Sequence, residues 1–243
     1  MSLAGRGIVV TRPREWAPGL ARLIEAAGGR AILFATVQIE DLPPCESLRR
    51  LEAFDLAIFI SPTAVRRAMK AAIRWPRVAA VGPGTQRELQ QRGIAAVIAP
   101  QAGADSEALL AMQELRDMDG KRVLILRGEG GRELLGETLK SRGAQVEYAE
   151  CYRRVRPDAD PAPLLAALDR GEVHAVTASS SEGLANLFAI LGARGEAPLR
   201  AAPLFVAHDR VAASAVRLGV REPIVAGPGD DQMVERLVAY FAK

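Results

Sequence analysis

Six short polar segments hold the residue types in this sequence that best suit ligand binding. Each contains hydroxyl, guanidinium or glycine residues and directly follows a short apolar run. The segments are Thr11-Arg12-Pro13, Ser61-Pro62-Thr63, Gly82-Pro83-Gly84-Thr85, Arg127-Gly128-Glu129-Gly130-Gly131-Arg132, Ser179-Ser180-Ser181 and His208-Asp209-Arg210. Backbone N–H groups at helix N-termini, hydroxyls and arginines together bind anions. Helix capping is the simpler explanation of any one segment, but six of them favour a polyanionic ligand.

Arginine supplies nearly all of the positive charge. The 243 residues include 32 basic and 29 acidic ones, and only Lys70, Lys121, Lys140 and Lys243 of the basic residues are lysine. The planar guanidinium binds carboxylate or phosphate with two parallel hydrogen bonds, although a compositional bias toward arginine explains any single one as well. A formal charge of +3 is too balanced to indicate a nucleic-acid surface, so we expect no nucleic-acid partner.

Several classes of site are excluded by spacing. His174, His208, Cys45 and Cys151 lack metal-ligand spacing, so we expect no metal. The segment that starts at Gly82 lacks the third glycine of a dinucleotide loop, and no phosphate-binding P-loop motif occurs. Two cysteines, no signal sequence and no long apolar run predict a cytoplasmic protein without membrane association.

Tyr152 is the candidate general acid. It ends a predicted strand and precedes Arg153, Arg154 and Arg156. A tyrosine pKa near ~10 keeps the proton available for donation at neutral pH. A half-buried aromatic at a domain edge explains the same residue, and at this point both interpretations stay open.

Short β-branched runs alternate with longer Ala/Leu-rich stretches, which is typical of an α/β fold with parallel strands. Ten strands are predicted, at 7–11, 31–36, 56–60, 78–81, 95–98, 122–126, 145–149, 173–178, 203–207 and 223–226. Helices are predicted over 15–27, 105–115 and 232–241, among others.

The chain also repeats itself. An offset of 115 residues aligns Gly5 with Gly120, Arg12 with Arg127 and Gly28 with Gly143, among other pairs. Each half then offers about five strands, which predicts two doubly wound domains with ligand sites beyond the carboxyl ends of the strands, in the cleft between domains. Pro-rich stretches at 42–44 and 156–163 are the expected crossings between the domains.

Five motifs, in this order and spacing, make the chain resemble the uroporphyrinogen-III synthase family over nearly its whole length. They are Val10-Thr11-Arg12-Pro13, Phe59-Ile60-Ser61-Pro62-Thr63-Ala64-Val65, Ala80-Val81-Gly82-Pro83-Gly84-Thr85, Leu126-Arg127-Gly128-Glu129-Gly130-Gly131-Arg132 and Glu150-Cys151-Tyr152-Arg153-Arg154. The sequence departs from the family pattern where Ser179-Ser180-Ser181-Glu182 replaces a Ser-Pro pair, which leaves open which serine touches substrate.

The resemblance implies a fold and a reaction. It implies two related α/β domains joined by a two-stranded connector, one formed by 1–37 plus 153–243 and the other by 38–152. It also implies hydroxymethylbilane as substrate, a linear tetrapyrrole with eight carboxylates that closes with loss of water and inversion of ring D through a spiro intermediate. The implied product is uroporphyrinogen III.

The resemblance further implies roles for individual residues. Tyr152 corresponds to the family's proposed acid, and the candidate carboxylate contacts are Arg12, Ser61, Thr85, Arg127, Ser180 and Arg210. No cofactor is implied; we expect a monomer that receives its substrate by transient hand-over from the upstream hydroxymethylbilane synthase. A non-catalytic, two-lobed binding protein for an anionic small molecule is the alternative, and a nucleotide-dependent enzyme is a second one.

Overall fold

Strands and helices alternate along the chain, in a computed structural model that describes residues 2–70, 74–103 and 105–242. The strands are β1 (Gly7–Val10), β2 (Arg30–Leu33), β3 (Gln38–Asp41), β4 (Leu56–Phe59), β5 (Arg77–Ala80), β6 (Val97–Ile98), β7 (Arg122–Gly128), β8 (Gln145–Val155), β9 (Ala175–Ala178), β10 (Leu204–Val206) and β11 (Ile224–Val225). The helices are α1 (Ala17–Ala26), α2 (Pro62–Ala68), α3 (Pro83–Gln91), α4 (Ser106–Leu110), α5 (Leu134–Ser141), α6 (Ala162–Asp169), α7 (Ser181–Ala201), α8 (Asp209–Arg217) and α9 (Asp230–Phe241). Among the described residues, no helix is long and apolar enough to cross a membrane.

The chain divides into two compact units. Unit 1 consists of Met1–Gln38 and Val155–Lys243, and unit 2 of Ile39–Arg154. The crossings lie within β3 and β8, which are hydrogen-bonded neighbours in one sheet. Both crossings therefore precede the Pro-rich stretches that the sequence suggested for them.

Unit 1 contains a five-stranded parallel sheet in the order β11-β10-β9-β1-β2. Side chains alternate between its faces, so Val9 packs with α6, α7 and α8 on one side, while Ile8 and Val10 pack with α1 and α9 on the other. Helices on both faces of a parallel sheet define a doubly wound domain.

Unit 2 contains a six-stranded sheet in the order β3-β8-β7-β4-β5-β6, in which the strands from β8 to β6 pair in parallel. Ala57 and Phe59 pack with α2 and α3, whereas Leu56 and Ile58 pack with α4 and α5 on the opposite face. The α/β class and the doubly wound parallel domains predicted from sequence are thus confirmed.

The two sheets share one strand order in permuted form. The order β11-β10-β9-β1-β2 of unit 1 matches β6-β5-β4-β7-β8 of unit 2. The 115-residue repeat pairs β1, α1 and β2 with β7, α5 and β8. The first set comes at the start of unit 1, whereas the second set comes at the end of unit 2. The strand order consequently reverses at corresponding places, between β9 and β1 in unit 1 and between β4 and β7 in unit 2, where doubly wound sheets bind ligands.

Two elements differ from the sequence prediction. The strand β3 was not predicted, because Gln38, Glu40 and Asp41 make it largely polar. The strand β8 continues six residues beyond the predicted end at 149, through the charged Arg153 and Arg154 to Val155. The Leu42 N–H donates to the Cys151 carbonyl at 3.2 Å, and Arg153 pairs with Glu40 at 2.8 Å. Contacts between β3 and the carboxyl end of β8 thus hold both segments as strands, although neither has the apolar pattern that predicts one.

A fragment of residues 39–154 is expected to fold by itself. It is contiguous, and it retains both helical layers over its sheet. Circular dichroism should show helix and strand content, and urea should unfold it in one cooperative transition. A fragment of residues 155–243 is the control; it lacks β1, the neighbour of β9, and should not unfold cooperatively. A non-cooperative transition for 39–154 would contradict the expectation.

Candidate active site

The six polar segments lie at the carboxyl ends of strands, in the same positions of both sheets. In unit 1 they follow β1, β9 and β10. In unit 2 two of them follow β4 and β5, and the third begins with Arg127 and Gly128, the last two residues of β7. In each sheet these are three adjacent strands that include the pair where the strand order reverses. Within each unit, the structure therefore gathers three of the segments at one edge of the sheet.

Tyr152 and Ser61 form a hydroxyl pair in unit 2. Tyr152 is 4% exposed, and its hydroxyl lies 3.0 Å from the Ser61 Oγ. Ser61 is the N-cap of α2, and its Oγ accepts the Ala64 N–H at 3.0 Å. Since Ser61 Oγ is already an acceptor there and keeps its own proton, either hydroxyl can donate to the other.

A register shift between β7 and β8 brings Tyr152 to this position. Arg127 pairs with Glu150, but the next residue, Gly128, pairs with Tyr152, so one residue of β8 is skipped. An extra residue in one strand re-aims the side chains that follow it. Cys151 and Tyr152, although consecutive, consequently pack in the same apolar cluster as Ala149.

Gly128 leaves the space that the Tyr152 ring occupies. A Cβ at Gly128 would lie 2.8 Å from the ring atoms Cε2 and Cζ and 3.2 Å from the hydroxyl oxygen. The backbone also holds the tyrosine, since the Glu129 N–H donates to the Tyr152 carbonyl at 2.7 Å.

Arg127 lies between two carboxylates and an aromatic ring. Its Nη1 donates to Glu133 at 2.8 Å and its Nη2 to Glu150 at 3.2 Å. The guanidinium carbon lies 3.9 Å from the centre of the Tyr148 ring, a cation–π contact. The Tyr148 hydroxyl in turn donates to Glu133 at 2.7 Å.

This arrangement shifts the ionisation of its members. Hydrogen bonds from Arg127 and then Tyr148 lower the pKa of Glu133, and burial together with Glu133 raises the pKa of Tyr148 to about 12. Burial lowers the pKa of Arg127, but Glu133 and Glu150 outweigh it, so the net shift is upward. The guanidinium therefore stays charged and paired with both carboxylates.

Thr85 completes the predicted residues of unit 2. It is the third residue of α3 and is 4% exposed. One turn further along the helix, Glu88 accepts hydrogen bonds from Arg66 and Arg92, each at 2.9 Å. Burial raises the pKa of Glu88, but the two arginines more than compensate and leave it lowered.

In unit 1, Arg12 and Ser180 already have protein partners. Arg12 forms an ion pair with Asp230, the first residue of α9. Ser180 is the N-cap of α7, and its Oγ accepts the Gly183 N–H at 3.0 Å.

Arg210 differs, because it is exposed and its guanidinium makes no ion pair among the described residues. Its carbonyl accepts hydrogen bonds from Ser181 at 3.4 Å and Ser214 at 3.0 Å. Of the three consecutive serines, Ser180 and Ser181 are thus tied to helix ends, and Ser179 is half-buried.

The strand ends hold no metal centre in the described residues, and the main groove of unit 1 lies elsewhere. Across the part of the chain that the structure describes, no group of three or more His, Cys, Asp or Glu side chains is arranged to hold a metal ion. A groove of about 1200 Å³ lies in unit 1, lined by residues that include Arg200, Arg221, Arg236 and Tyr240. It adjoins the segments that lead into β10 and β11, and none of the predicted site residues lines it.

Four residues around Tyr152 were not among the sequence candidates. Gly128, Glu133, Tyr148 and Glu150 were not assigned a role, although three of them lie within or beside the quoted motifs. The signal available for Glu150 was its position two residues before Tyr152, on the strand that pairs with β7 at Arg127. Using that signal requires knowing that β7 and β8 are neighbours.

The chain is similar to known proteins of one kind. A family model described as "Uroporphyrinogen-III synthase HemD" matches residues 19–235. The uroporphyrinogen-III synthase of Escherichia coli (strain K12) is 33% identical over 94% of this chain and 98% of its own length. That of Salmonella typhimurium is 34% identical over the same shares.

Solved structures share the fold. A mutant uroporphyrinogen III synthase from the extremely thermophilic bacterium Thermus thermophilus superposes with a TM-score of 0.63 at 20% identity, covering 98% of this chain and all of that one. The uroporphyrinogen-III synthetase of Helicobacter pylori 26695 gives a TM-score of 0.64 at 14% identity, with 97% and 99% covered.

The substitution Gly128→Ala is expected to displace the Tyr152 ring, since the new methyl group would lie 2.8 Å from two ring atoms. Overpacking of this kind lowers the free energy of unfolding by about 1–3 kcal/mol. Urea unfolding measures this loss. Gly84→Ala is the control, because its nearest neighbour, the Pro62 Cγ, lies 3.8 Å away. Equal stabilities for the two variants would contradict the tight contact.

Tyr148 is expected to ionise later than an ordinary tyrosine. Its pKa is raised from 10.0 to about 12 by burial and by Glu133. The stability it contributes is therefore complete below its ordinary pKa and is lost as the pH rises through about 12. An ultraviolet absorbance titration should lose a component near pH 12 in Tyr148→Phe. Loss of a component near pH 10 instead would contradict the hydrogen bond to Glu133.

Proposed function

Because this chain belongs to the uroporphyrinogen-III synthase family, we propose which of its residues carry out the ring closure. The family activity makes it an enzyme, a cyclising lyase of tetrapyrrole biosynthesis. It closes hydroxymethylbilane with loss of water and inversion of ring D, through a spiro intermediate, to give uroporphyrinogen III. The proposal concerns the acid and the groups that hold the carboxylates.

The observation that carries the proposal is the Tyr152–Ser61 hydroxyl pair at 3.0 Å, beside the point where the strand order of unit 2 reverses. As the carbon–oxygen bond of the ring A hydroxymethyl group breaks, the Tyr152 hydroxyl gives its proton to the leaving oxygen, and water departs. Ser61 stabilises the tyrosinate by donating a hydrogen bond to it. The free α-carbon of ring D loses a proton when the macrocycle closes, and this proton restores Tyr152, so the step balances without a cofactor.

The remaining task is geometric. The electron-rich pyrroles drive the loss of water themselves, and unassisted closure gives the symmetric type I isomer without inversion. The protein must hold ring A near the substituted carbon of ring D. Correct orientation of reacting groups contributes up to about 7–11 kcal/mol in favourable cases.

Each unit offers proposed contacts for substrate carboxylates. In unit 2 the contact is Thr85, because the single hydroxyl proton of Ser61 is donated to Tyr152. In unit 1 the contacts are Arg12, Ser180 and Arg210. Arg210 supports this role best, since its guanidinium is exposed and makes no ion pair among the described residues. Arg12 would share its charge between Asp230 and the ligand. Backbone N–H groups at the same strand ends contribute as well, so single substitutions should have small effects.

Arg127 was also a candidate contact, but Glu133 and Glu150 bind its two terminal nitrogens and its Nε is fully buried, so we assign it no substrate carboxylate. We further propose that the substrate carries eight carboxylates, that the enzyme acts as a cytoplasmic monomer, and that it receives the bilane from hydroxymethylbilane synthase.

Tyr152→Phe is expected to lower kcat by about 100-fold, because the variant lacks the hydroxyl that gives a proton to the leaving oxygen. The aromatic ring remains, so its packing is kept. The purified protein is given freshly generated hydroxymethylbilane, the products are oxidised, and uroporphyrin isomers I and III are separated by chromatography. The wild-type protein should give an excess of isomer III. Tyr240→Phe, which alters an exposed tyrosine of α9, is the matched control and should keep full turnover.

Full turnover of Tyr152→Phe would remove the acid role. If the folded wild-type protein gave only isomer I at the uncatalysed rate, this result would contradict the synthase function itself. A non-catalytic binding protein for an anionic small molecule would then be the better account.

A further inference from the structure

The Arg127 side chain contacts three other side chains close to Tyr152, the proposed acid. It is 8% exposed, bonded to Glu133 and Glu150, and stacked on the Tyr148 ring. The guanidinium is buried and bridges two carboxylates that remain partly exposed, so both of its terminal nitrogens already have charged partners. Its Nε has no hydrogen-bond partner in the described part of the chain, but it is fully buried, so a substrate carboxylate would reach it only if the surrounding side chains moved.

The same group ties the segment after β7 to β8. Glu150, which accepts from Arg127, also accepts the Gly130 N–H at 3.2 Å. One residue earlier in the segment, the Glu129 N–H donates to the Tyr152 carbonyl at 2.7 Å. The backbone of residues 128–130 is therefore fixed to β8 at Glu150 and at Tyr152, on either side of the skipped residue in the register.

We propose that Arg127, acting through Glu150, is a positioning residue that sets the location of the Tyr152 hydroxyl, and that it does not contact substrate. This inference rests on the proposed acid role of Tyr152. Arg127 neutralises Glu150 and holds it where its carboxylate can accept the Gly130 N–H. Gly128 and Glu129 are thereby kept against Tyr152, and the hydroxyl stays within 3.0 Å of Ser61.

Small displacements of a reacting group are costly. A shift of ~1 Å in a catalytic group can lower the rate by about 100-fold. Loss of the Arg127–Glu150 pair should therefore reduce kcat, while the groups that bind carboxylates and determine KM remain in place.

The chain offers a matched control on the same two strands. Arg122 of β7 pairs with Glu147 of β8 at 3.4 Å, near the amino ends of these strands. Glu147 also accepts from Ser47 at 2.8 Å and from Arg50 at 2.9 Å, and within the described chain no hydrogen bond or ion pair joins it to residues 129–132. Glu147→Gln thus removes an equivalent charge from an equivalent pair away from Tyr152.

The first experiment compares Glu150→Gln with Glu147→Gln in the isomer assay, with kcat, KM and thermal unfolding measured for each. Glu150→Gln should lower kcat about 10-fold or more with KM within about twofold of wild type, and Glu147→Gln should leave both unchanged. Arg127→Lys should behave like Glu150→Gln, since an ammonium cannot bridge two carboxylates and stack on Tyr148.

Two outcomes would overturn the inference. Raised KM with unchanged kcat in Arg127→Lys would make Arg127 a substrate contact. Unchanged kcat and KM in Glu150→Gln, with only a lower unfolding temperature, would make the pair purely structural.

A double-variant cycle separates this inference from the proposed acid role. If Arg127 and Glu150 act through Tyr152, Glu150→Gln should reduce kcat in the wild-type background but have little further effect in Tyr152→Phe. Equal reductions in both backgrounds would overturn the positioning role and leave the acid role of Tyr152 intact. Full activity of Tyr152→Phe alone would overturn the acid role.

Discussion

The aromatic ring of Tyr152 lies against the bare backbone of Gly128, and the position of the candidate acid in unit 2 depends on this contact. It can form only because β7 and β8 slip by one residue at their carboxyl ends. The slip turns Tyr152 into the apolar cluster beneath α2, where Ser61 meets its hydroxyl. Beyond the slip, β8 continues to Val155 as one of the two strands that carry the chain between units. One strand therefore serves both the candidate site and the connection.

The charged side chains next to this contact are paired with one another. Arg127 balances Glu133 and Glu150, and Tyr148 covers the guanidinium while donating to Glu133. Buried charges are tolerated when they are paired and hydrogen-bonded in this way. In unit 1 the corresponding arginine, Arg12, is paired with Asp230, whereas Arg210 is left without an ion pair in the described chain. These arginines all lie in polar segments at strand ends, but they differ in whether the guanidinium is already ion-paired and so in how readily it can bind an anionic ligand.

Much of the fold could be predicted from local patterns. Apolar runs within the predicted strands 56–60 and 122–126 identified two central strands, and the 115-residue repeat identified the paired sheets. The polar β3 could not be found this way, because its pairing with β8 supplies its order. The partners of Arg127 could not be predicted from sequence either. Strand pairing brings Glu150 near Arg127, and the start of α5 brings Glu133 near it. Patterning identifies which residues lie at strand ends, but only the register determines which of them meet.

The permuted arrangement of the two units has a consequence for the order in which the chain leaves the ribosome. Residues 39–154 emerge as an uninterrupted stretch, with all the strands of their sheet within reach of one another. By contrast, β1 is made before this stretch, yet it belongs between β2 and β9, and β9 appears only at residues 175–178. During most of synthesis, the apolar side chains of β1 and α1 therefore have no complete sheet to cover them. Apolar segments that wait for their partners in this way are prone to aggregate, and chaperones protect such segments while translation continues.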